Sequence, residues 1–443
     1  MVERERLVSE PEAAWKADTH GRLLEMSVFS RAEGQPVLVG TLSFQASRRG
    51  VRQGTFRYDR DWVGSGVAAP LFAAGLPLRR PTQSKPPFEV PLPFYDASPD
   101  GWGKALLRMA YPDVDLGAPE YIAASGNNRT GDLVFGPDGS GPAVYTPSTA
   151  MLDLPQDDDR LGDLIEAAEA VESGIATRSH LARLLQSGAD IGGARPKARI
   201  MFDGRPCILK MKAADDGVDV QRLEAACLSV ARSAGIETPW HTVVEVNGQS
   251  ALIIERFDRD GEIRVPFTSA ATVMEEPPSS YDNTGASYAS VSVMARRAGI
   301  LDCSRDLFRR LLLNCFLNNT DDHLHNHGFI RVGGQWKLSP VFDVVTQRRR
   351  ALVLRPAKDV SAEANPTTAL TAHTAFGIDR DEAQAIHDEV KMAAADFRDW
   401  LRHYGANDAD ISTASSLAPH AVAAETPSRS RNIIDDEPAS PEP

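Results

Sequence analysis

Apolar and polar positions alternate with a period of two in residues 22–30 (RLLEMSVFS) and 36–46 (PVLVGTLSFQA), which predicts a β-hairpin across the short polar connection between them. Residues 56–58 add another strand. The stretch 75–99 carries Pro77, Pro81, Pro86, Pro87, Pro91, Pro93 and Pro99, so it cannot be the interior of a helix. A helical segment follows at residues 100–110 (DGWGKALLRMA). The pattern describes a small β-rich N-terminal region over residues 1–137. Residues 138–158 read as a connection, and residues 160–172 and 178–187 as helices. From Asn407 onward the chain is rich in Ala, Ser, Pro, Glu and Asp with few large apolar residues, which predicts a disordered tail over 407–443.

The middle of the chain alternates strand and helix periodicities in a fixed order. KARIMF and RPCILKMK flank Asp203-Gly204, and HTVVEV and QSALIIERF flank Asn247-Gly248. Both dipeptides are hairpin turns, because they tolerate the positive φ angles such turns require. Between the hairpins, residues 219–236 place Leu223, Ala226, Cys227, Val230 and Ala231 at helical spacing, and Gly235 ends the helix. A glycine-containing loop, Gly192 to Lys197, precedes the first hairpin. Glycine lets backbone amides approach phosphate oxygens, although two glycines alone also describe an ordinary turn. Lys210 and Lys212 share one face of their strand. Lys210 lies among apolar neighbours, where a charge is costly unless it meets an anion. Glu224, beside the apolar face of the helix, is either solvated or the partner of Lys210. Loop, hairpin, helix, hairpin and exit is the order of a protein-kinase N-lobe.

Residues 305–317 (RDLFRRLLLNCFL) are apolar nearly all round, hence a buried helix. It leads into Asn318-Asn319-Thr320-Asp321-Asp322-His323-Leu324-His325-Asn326-His327-Gly328. A third hairpin then turns at Gly333-Gly334 and ends at Asp343. Asp321 and Asn326 are five residues apart, the Asp-to-Asn separation of a kinase catalytic loop, and Asp343 follows Asn326 by 17 residues. Phosphoryl transfer needs a carboxylate to accept the proton of the incoming hydroxyl, and oxygen ligands for hard divalent cations. Two other readings of the loop remain. Asp321, Asp322, His323, His325 and His327 could ligate a transition metal, or the segment could be a purely structural polar loop.

Composition narrows the function classes. The 443 residues carry a formal charge of −13, which argues against bare nucleic-acid binding over the whole surface. Cys207, Cys227, Cys303 and Cys315 form no C-x-x-C pair, and read as free thiols of a reducing compartment. No apolar run reaches membrane-spanning length, and the charged start MVERERLVSE lacks a signal core, so a cytoplasmic location without membrane association is expected.

At these residues the chain resembles the HipA family of toxin kinases. The motifs occur in order: GGARPKA at 192–198, CILK at 207–210, LIIERFDR at 252–259, NTDDHLHNHGFI at 319–330 and LSPVFD at 338–343. PDGWGKALL at 99–107 and SYASVSVMARRAG at 287–299 resemble the family's other segments, so the likeness spans about residues 20–400. It implies an α+β fold, with a small β-rich N-terminal domain followed by a bilobal protein-kinase-like core and a largely helical C-lobe. The N-lobe and its preceding helices would fill 138–258, and the C-lobe 259–406. It implies a serine/threonine kinase using ATP and Mg²⁺. Asp321 would be the catalytic base, with His323 the family's loop histidine. Asn326 and Asp343 would be metal ligands, and Lys210 the phosphate lysine paired with Glu224. Gly192, Gly193, Ala194, Arg195 and Lys197 would form the phosphate loop, and Glu255 and Phe257 the hinge beside adenine. Expected partners are a translation protein as substrate, an aminoacyl-tRNA synthetase being the best-known type, and a HipB-like helix-turn-helix antitoxin through which alone DNA is met. A small-molecule or lipid kinase, or a silenced kinase acting as corepressor, are the alternatives. Two departures stand out. Asp190 occupies the position where the family often has a self-phosphorylated serine, the nearest serine here being Ser187, and Val344-Val345 follows Asp343 in place of Phe-Gly.

Overall fold

The computed structural model describes residues 14–46, 52–65, 70–85, 87–147, 161–188, 193–276 and 285–424. Gly192 and Asp190 lie outside the described residues.

The N-terminal unit is a five-stranded antiparallel sheet ordered β4-β3-β2-β1-β5. Its strands are β1 (Glu25–Ser30), β2 (Val37–Ala46), β3 (Arg52–Tyr58), β4 (Thr82–Gln83) and β5 (Leu133–Gly136). Alternation delivers Met26, Val28, Leu42 and Phe56 to one core, which Phe94 and Phe135 complete. The short helix α1 (Arg60–Gly64) follows β3, and the proline-rich segment holds a 3₁₀ turn at Leu92–Ala97. Helix α3 (Ala118–Ala124) packs on this unit, and its residue Ala123 accepts a hydrogen bond from the Tyr145 amide. The Tyr145 ring is buried in the same core, so packing carries the unit past residue 137. Helix α2 (Gly101–Ala110) sends Trp102 and Leu106 into the next core instead, and thereby joins the two units.

That next core lies on one face of an antiparallel sheet ordered β6-β7-β9-β8. Its strands are β6 (Lys197–Phe202), β7 (Arg205–Lys210), β8 (His241–Val246) and β9 (Gln249–Glu255). Helices α4 (Leu161–Glu172) and α5 (Arg178–Gly188) cover this face, meeting Leu209, Ala251 and Ile253. The alternate residues Leu252 and Ile254 face helix α6 (Val220–Ser233) and the large C-terminal core. Both turns have the expected chemistry, with φ of 48° and 74° at Asp203 and Gly204, and 53° and 77° at Asn247 and Gly248.

Beyond the sheet lie a two-stranded ribbon, β10 (Arg259–Asp260) with β11 (Ile263–Arg264), and a three-stranded sheet of β12 (Phe267–Ser269), β13 (Gly328–Val332) and β14 (Gln335–Leu338). Helices α7 (Ala270–Val273) and α8 (Tyr288–Arg297) lead to α9 (Ser304–Leu317), whose residues from Leu311 to Leu317 are all buried. Helices α10 (Pro366–Leu370), α11 (Arg380–Ala394), α12 (Phe397–His403), α13 (Asp408–Leu417) and α14 (Pro419–Ala424) complete the lobe.

The last two helices correct the expected tail. Residues 408–424 are folded, with Ile411, Ala414, Ala418 and Ala421 buried and α14 packed on α9 and α11. Small side chains permit this close helix packing without many large apolar residues, so composition misrepresents the segment. The expected tail beyond Ala424 lies outside the described residues. All four cysteines are buried and unpaired. No helix among the described residues is long and apolar enough to cross a membrane.

Candidate functional site

Strand register brings two lysines together: Lys197 on β6 lies opposite Lys210 on β7. Lys210 donates to Glu224 Oε1 of α6 at 2.6 Å, and also to Asp343 Oδ1. Glu224 and Lys197 are each only 4 % exposed. Burial alone would lower the Lys210 pKa, but the carboxylates of Asp343 and Glu224 outweigh it and raise it above the ordinary lysine range. Burial of Lys197, with the Lys210 charge nearby, pushes it down to about 8 against the pull of Asp343 and Glu224. Burial would raise Asp343, but the Lys210 and Lys197 charges hold its carboxyl well below the usual range. Glu224 stays raised, because burial exceeds the pull of Lys210.

Asp343 adopts φ 55°, a left-handed conformation that costs a non-glycine residue energy and persists only where its surroundings impose it. Those surroundings are specific. Phe342 stacks on Phe257 with ring centres 5.7 Å apart, and Phe257 also meets Phe267. The expected hinge residue Phe257 therefore wedges the chain immediately before Asp343. Its neighbour Glu255 is half-buried at the end of β9, pairs with Cys207, and donates its amide to Trp240 O at 2.9 Å.

The described part of the expected phosphate loop is folded onto α2. The Gly193 carbonyl accepts from the Trp102 amide at 2.9 Å. A Cβ on Gly101 would lie 2.9 Å from Ala194 Cα, so this contact requires glycine. A Cβ on Gly193 would fall 2.2 Å from Lys197 Nζ, which places the buried ammonium directly beneath the loop. Arg195 is ion-paired with Asp216 on the segment after β7.

Helix α9 ends at Asn318, whose φ of 53° turns the chain into the polar loop. Asp321 is exposed, and its carbonyl accepts from Asn326 Nδ2 at 3.3 Å. That bond commits the Asn326 amide nitrogen and leaves its oxygen as the donor atom for a cation. His323 is near enough for its charge to lower Asp343 further. The ionised Asp343 carboxylate and the Asn326 amide oxygen are hard donors of the kind Mg²⁺ prefers. Among the described residues no three His, Cys, Asp or Glu side chains converge on a common point, as a transition-metal site would need.

Sequence reasoning missed the support beneath this loop. Asp322, 4 % exposed, accepts from Asn314 Nδ2 at 2.7 Å and from the Tyr288 hydroxyl, and lies 2.8 Å from His327 Nε2. Burial would raise its pKa, but His327 and the Tyr288 hydroxyl lower it. Its neighbour Asp321 is thus presented to solvent by a residue anchored in the core. The available signal was Asn314, the one polar residue within the apolar run from Leu311 to Leu317. Also missed was the contact from the N-terminal unit. Asp96 accepts from Ser269 Oγ at 2.6 Å and from Thr268 Oγ1 at 3.0 Å, and its charge reaches His325 of the loop.

Part of the sequence and the overall fold are similar to known proteins. Residues 189–397 match the family described as HipA-like C-terminal domain. The chain is also similar to HipA in the Shewanella oneidensis MR-1 complex of HipA, HipB and operator DNA. Identity is 15 %, coverage is 90 % of this chain and 96 % of that one, and the TM-score is 0.63. A likeness to the Helicobacter pylori proinflammatory kinase CtkA covers 53 % of this chain and 92 % of that one at 14 % identity, with a TM-score of 0.35. The fold is α+β and kinase-like, with a β-rich N-terminal region.

Proposed function

We propose that this chain, a HipA-family protein through its C-terminal domain, is an ATP- and Mg²⁺-dependent serine/threonine protein kinase and the toxin of a toxin–antitoxin pair. The observation that carries the reading is the meeting of Lys210, Glu224 and Asp343, drawn from a strand, a helix and a loop 133 residues apart, with His323 of the Asp321 loop beside it. A buried lysine bonded to two carboxylates is poised to exchange one of them for phosphate.

Each residue then has a definite task. Lys210, oriented by Glu224, takes phosphate oxygens, and Lys197 offers a second positive charge from below the loop. Gly193 and Ala194 bring backbone close to the phosphates. Asp343 and Asn326 would hold Mg²⁺, which when bound neutralises charge on the transferring phosphoryl group. Asp321, exposed at the mouth, orients the acceptor hydroxyl and takes its proton as the oxygen attacks the γ-phosphorus and the bond to the β,γ-bridging oxygen breaks. The support from Asp322 keeps Asp321 in place without a large rearrangement. A translation protein such as an aminoacyl-tRNA synthetase is the proposed substrate class, and a HipB-like protein the proposed antitoxin. That assignment rests on family likeness and on the neighbour being a HipA–HipB–DNA complex.

Asp321→Asn removes the proposed base while keeping its shape. Labelling of proteins in a cell extract by [γ-³²P]ATP is expected to fall on the order of a hundredfold or more, and growth arrest on expression to vanish. Unchanged labelling and unchanged arrest would refute the assignment.

A further inference from the structure

The loop that carries Asp321 and Asn326 is braced by a residue of the N-terminal unit. Asp96, on the 3₁₀ turn Leu92–Ala97, receives three donors. Ser269 Oγ reaches its Oδ1 at 2.6 Å, and the Ser269 amide and Thr268 Oγ1 reach its Oδ2 at 2.9 and 3.0 Å. Thr268 and Ser269 are the buried last residues of β12. Ser269 also caps α7, accepting from the Thr272 amide at 3.2 Å. Across the small sheet, Ser269 is in register with Gly328, and the Ala270 amide donates to the His327 carbonyl at 2.8 Å. A Cβ on Gly328 would run into the Phe267 ring, so the end of the loop and β12 touch directly. Strand β12 and helix α7 therefore stand between two 3₁₀ turns, Leu92–Ala97 of the N-terminal unit and Leu324–Asn326 of the loop, and contact both.

We infer that Asp96 is a positioning residue for phosphoryl transfer: through Thr268 and Ser269 it fixes β12 and α7, these fix the loop bearing Asp321 and Asn326, and the N-terminal unit thereby completes the site of the core. The inference rests on the kinase reading and adds a residue outside the core that the reaction requires. A carboxylate is costly at this place. Burial raises the Asp96 pKa against the Ser269 hydrogen bonds and the charge of His325, and among the described residues Asp96 forms no ion pair with a lysine or arginine. A neutral side chain could join the two units at lower cost, whereas an acceptor-only group takes all three donors without rearrangement. The same corner reaches the loop by a second route. His325 feels the charges of Asp96, Asp100 and Lys104, and its ring meets His323 edge-on with centres 5.9 Å apart.

The test is the initial rate at which the full chain labels a fixed amount of cell extract from [γ-³²P]ATP with Mg²⁺, measured across ATP concentrations. Asp96→Ala is expected to lower the limiting rate about tenfold or more, as small displacements of a reacting group do, while KM for ATP stays within about twofold because Lys210 and Lys197 are untouched. Asp96→Asn keeps an oxygen for Thr268 and the Ser269 amide, and the Ser269 hydroxyl can turn to accept, so its rate is expected within about threefold of wild type. Asp96→Ala/Ser269→Ala is expected to be no slower than Asp96→Ala, since both substitutions act along one path. Hydrogen exchange without nucleotide gives a readout apart from activity: Asp96→Ala is expected to speed exchange in residues 268–272 and 324–328 and not in β6 to β9. An unchanged rate in Asp96→Ala, a loss in Asp96→Asn as large as in Asp96→Ala, or additive losses in the double variant overturns the inference and leaves the kinase intact. A rise in KM for ATP with faster exchange throughout the core marks general loosening and has the same consequence. If Asp96→Ala does not fold, Thr268→Val, which removes one of the bonds from the opposite side, is expected to lower the rate about threefold, and an unchanged rate there overturns the inference. Absence of labelling by the wild-type chain overturns the kinase reading and the inference with it.

Discussion

Two lysines on adjacent strands behave differently: carboxylate charges outweigh burial at Lys210, and burial outweighs them at Lys197. Lys210 is held charged by Glu224 and Asp343, whereas Lys197, under Gly193, is pushed down to about 8. The sign of the pH effect follows. Phosphate oxygens stabilise the ammonium, so a nucleotide raises the Lys197 pKa and its binding takes up a proton at pH values above about 8. Affinity for the nucleotide is accordingly expected to fall as pH rises through 8 to 9.5, a flank that Lys197→Met should flatten. Calorimetric titration in buffers of different ionisation enthalpy measures the proton directly; no uptake at pH 8.5 would contradict the assignment. At this scale the sequence was partly legible. Lys210 and Glu224 could be paired from element order, but the contact of Lys210 with Asp343 joins residues 133 apart, which periodicity does not reveal. Asp322 was illegible for the same reason, since Tyr288 and His327 reach it from different elements.

At the scale of elements, turn chemistry made the hairpins readable. Asp203-Gly204 and Asn247-Gly248 announce their own φ angles, so β6 to β9 could be placed from local signals. Helices α13 and α14 could not, because they bury Ile411 and alanines where the expected signal is large apolar residues. Ending the chain after Gly405 removes these helices and uncovers the surfaces of α9 and α11 that α14 packs against. A stability loss of about 4 kcal/mol is expected from the lost burial, read as a lower midpoint in urea unfolding. An unchanged midpoint would show that the two helices add nothing to the lobe.

The whole molecule depends on how the N-terminal unit is fastened to the kinase-like core. Arg256 and Asp258, both buried and paired through Nη2 and Oδ2 at 2.9 Å, sit just after β9. Arg256 donates onward to the Asn128 and Arg129 carbonyls at 3.0 and 2.9 Å, and Asp258 accepts from the Gly131 amide at 2.8 Å. Asp258→Ala leaves Arg256 and Arg259 without their shared carboxylate. Removing one partner of a buried pair costs about 3–5 kcal/mol, so a large drop in stability is expected, with the N-terminal unit becoming protease-sensitive before the core. Cleavage rates equal to wild type would contradict this. Charge is also uneven across the molecule. The total of −13 coexists with two buried-side lysines, Lys197 and Lys210, opposite each other on β6 and β7, so net charge alone says little about phosphate chemistry.

The four buried thiols turn the protein into its own reporter of local opening. Cys207 lies in β7 of the N-lobe sheet, Cys227 in helix α6, Cys315 in α9 and Cys303 at the start of α9. Alkylating reagent can reach each one only when its own element opens, so reaction at Cys207 clocks the strand that carries Lys210, and reaction at Cys315 clocks the C-lobe core. Mass spectrometry of timed alkylation can therefore rank the opening of both lobes in the natural sequence, with no probe engineered into either.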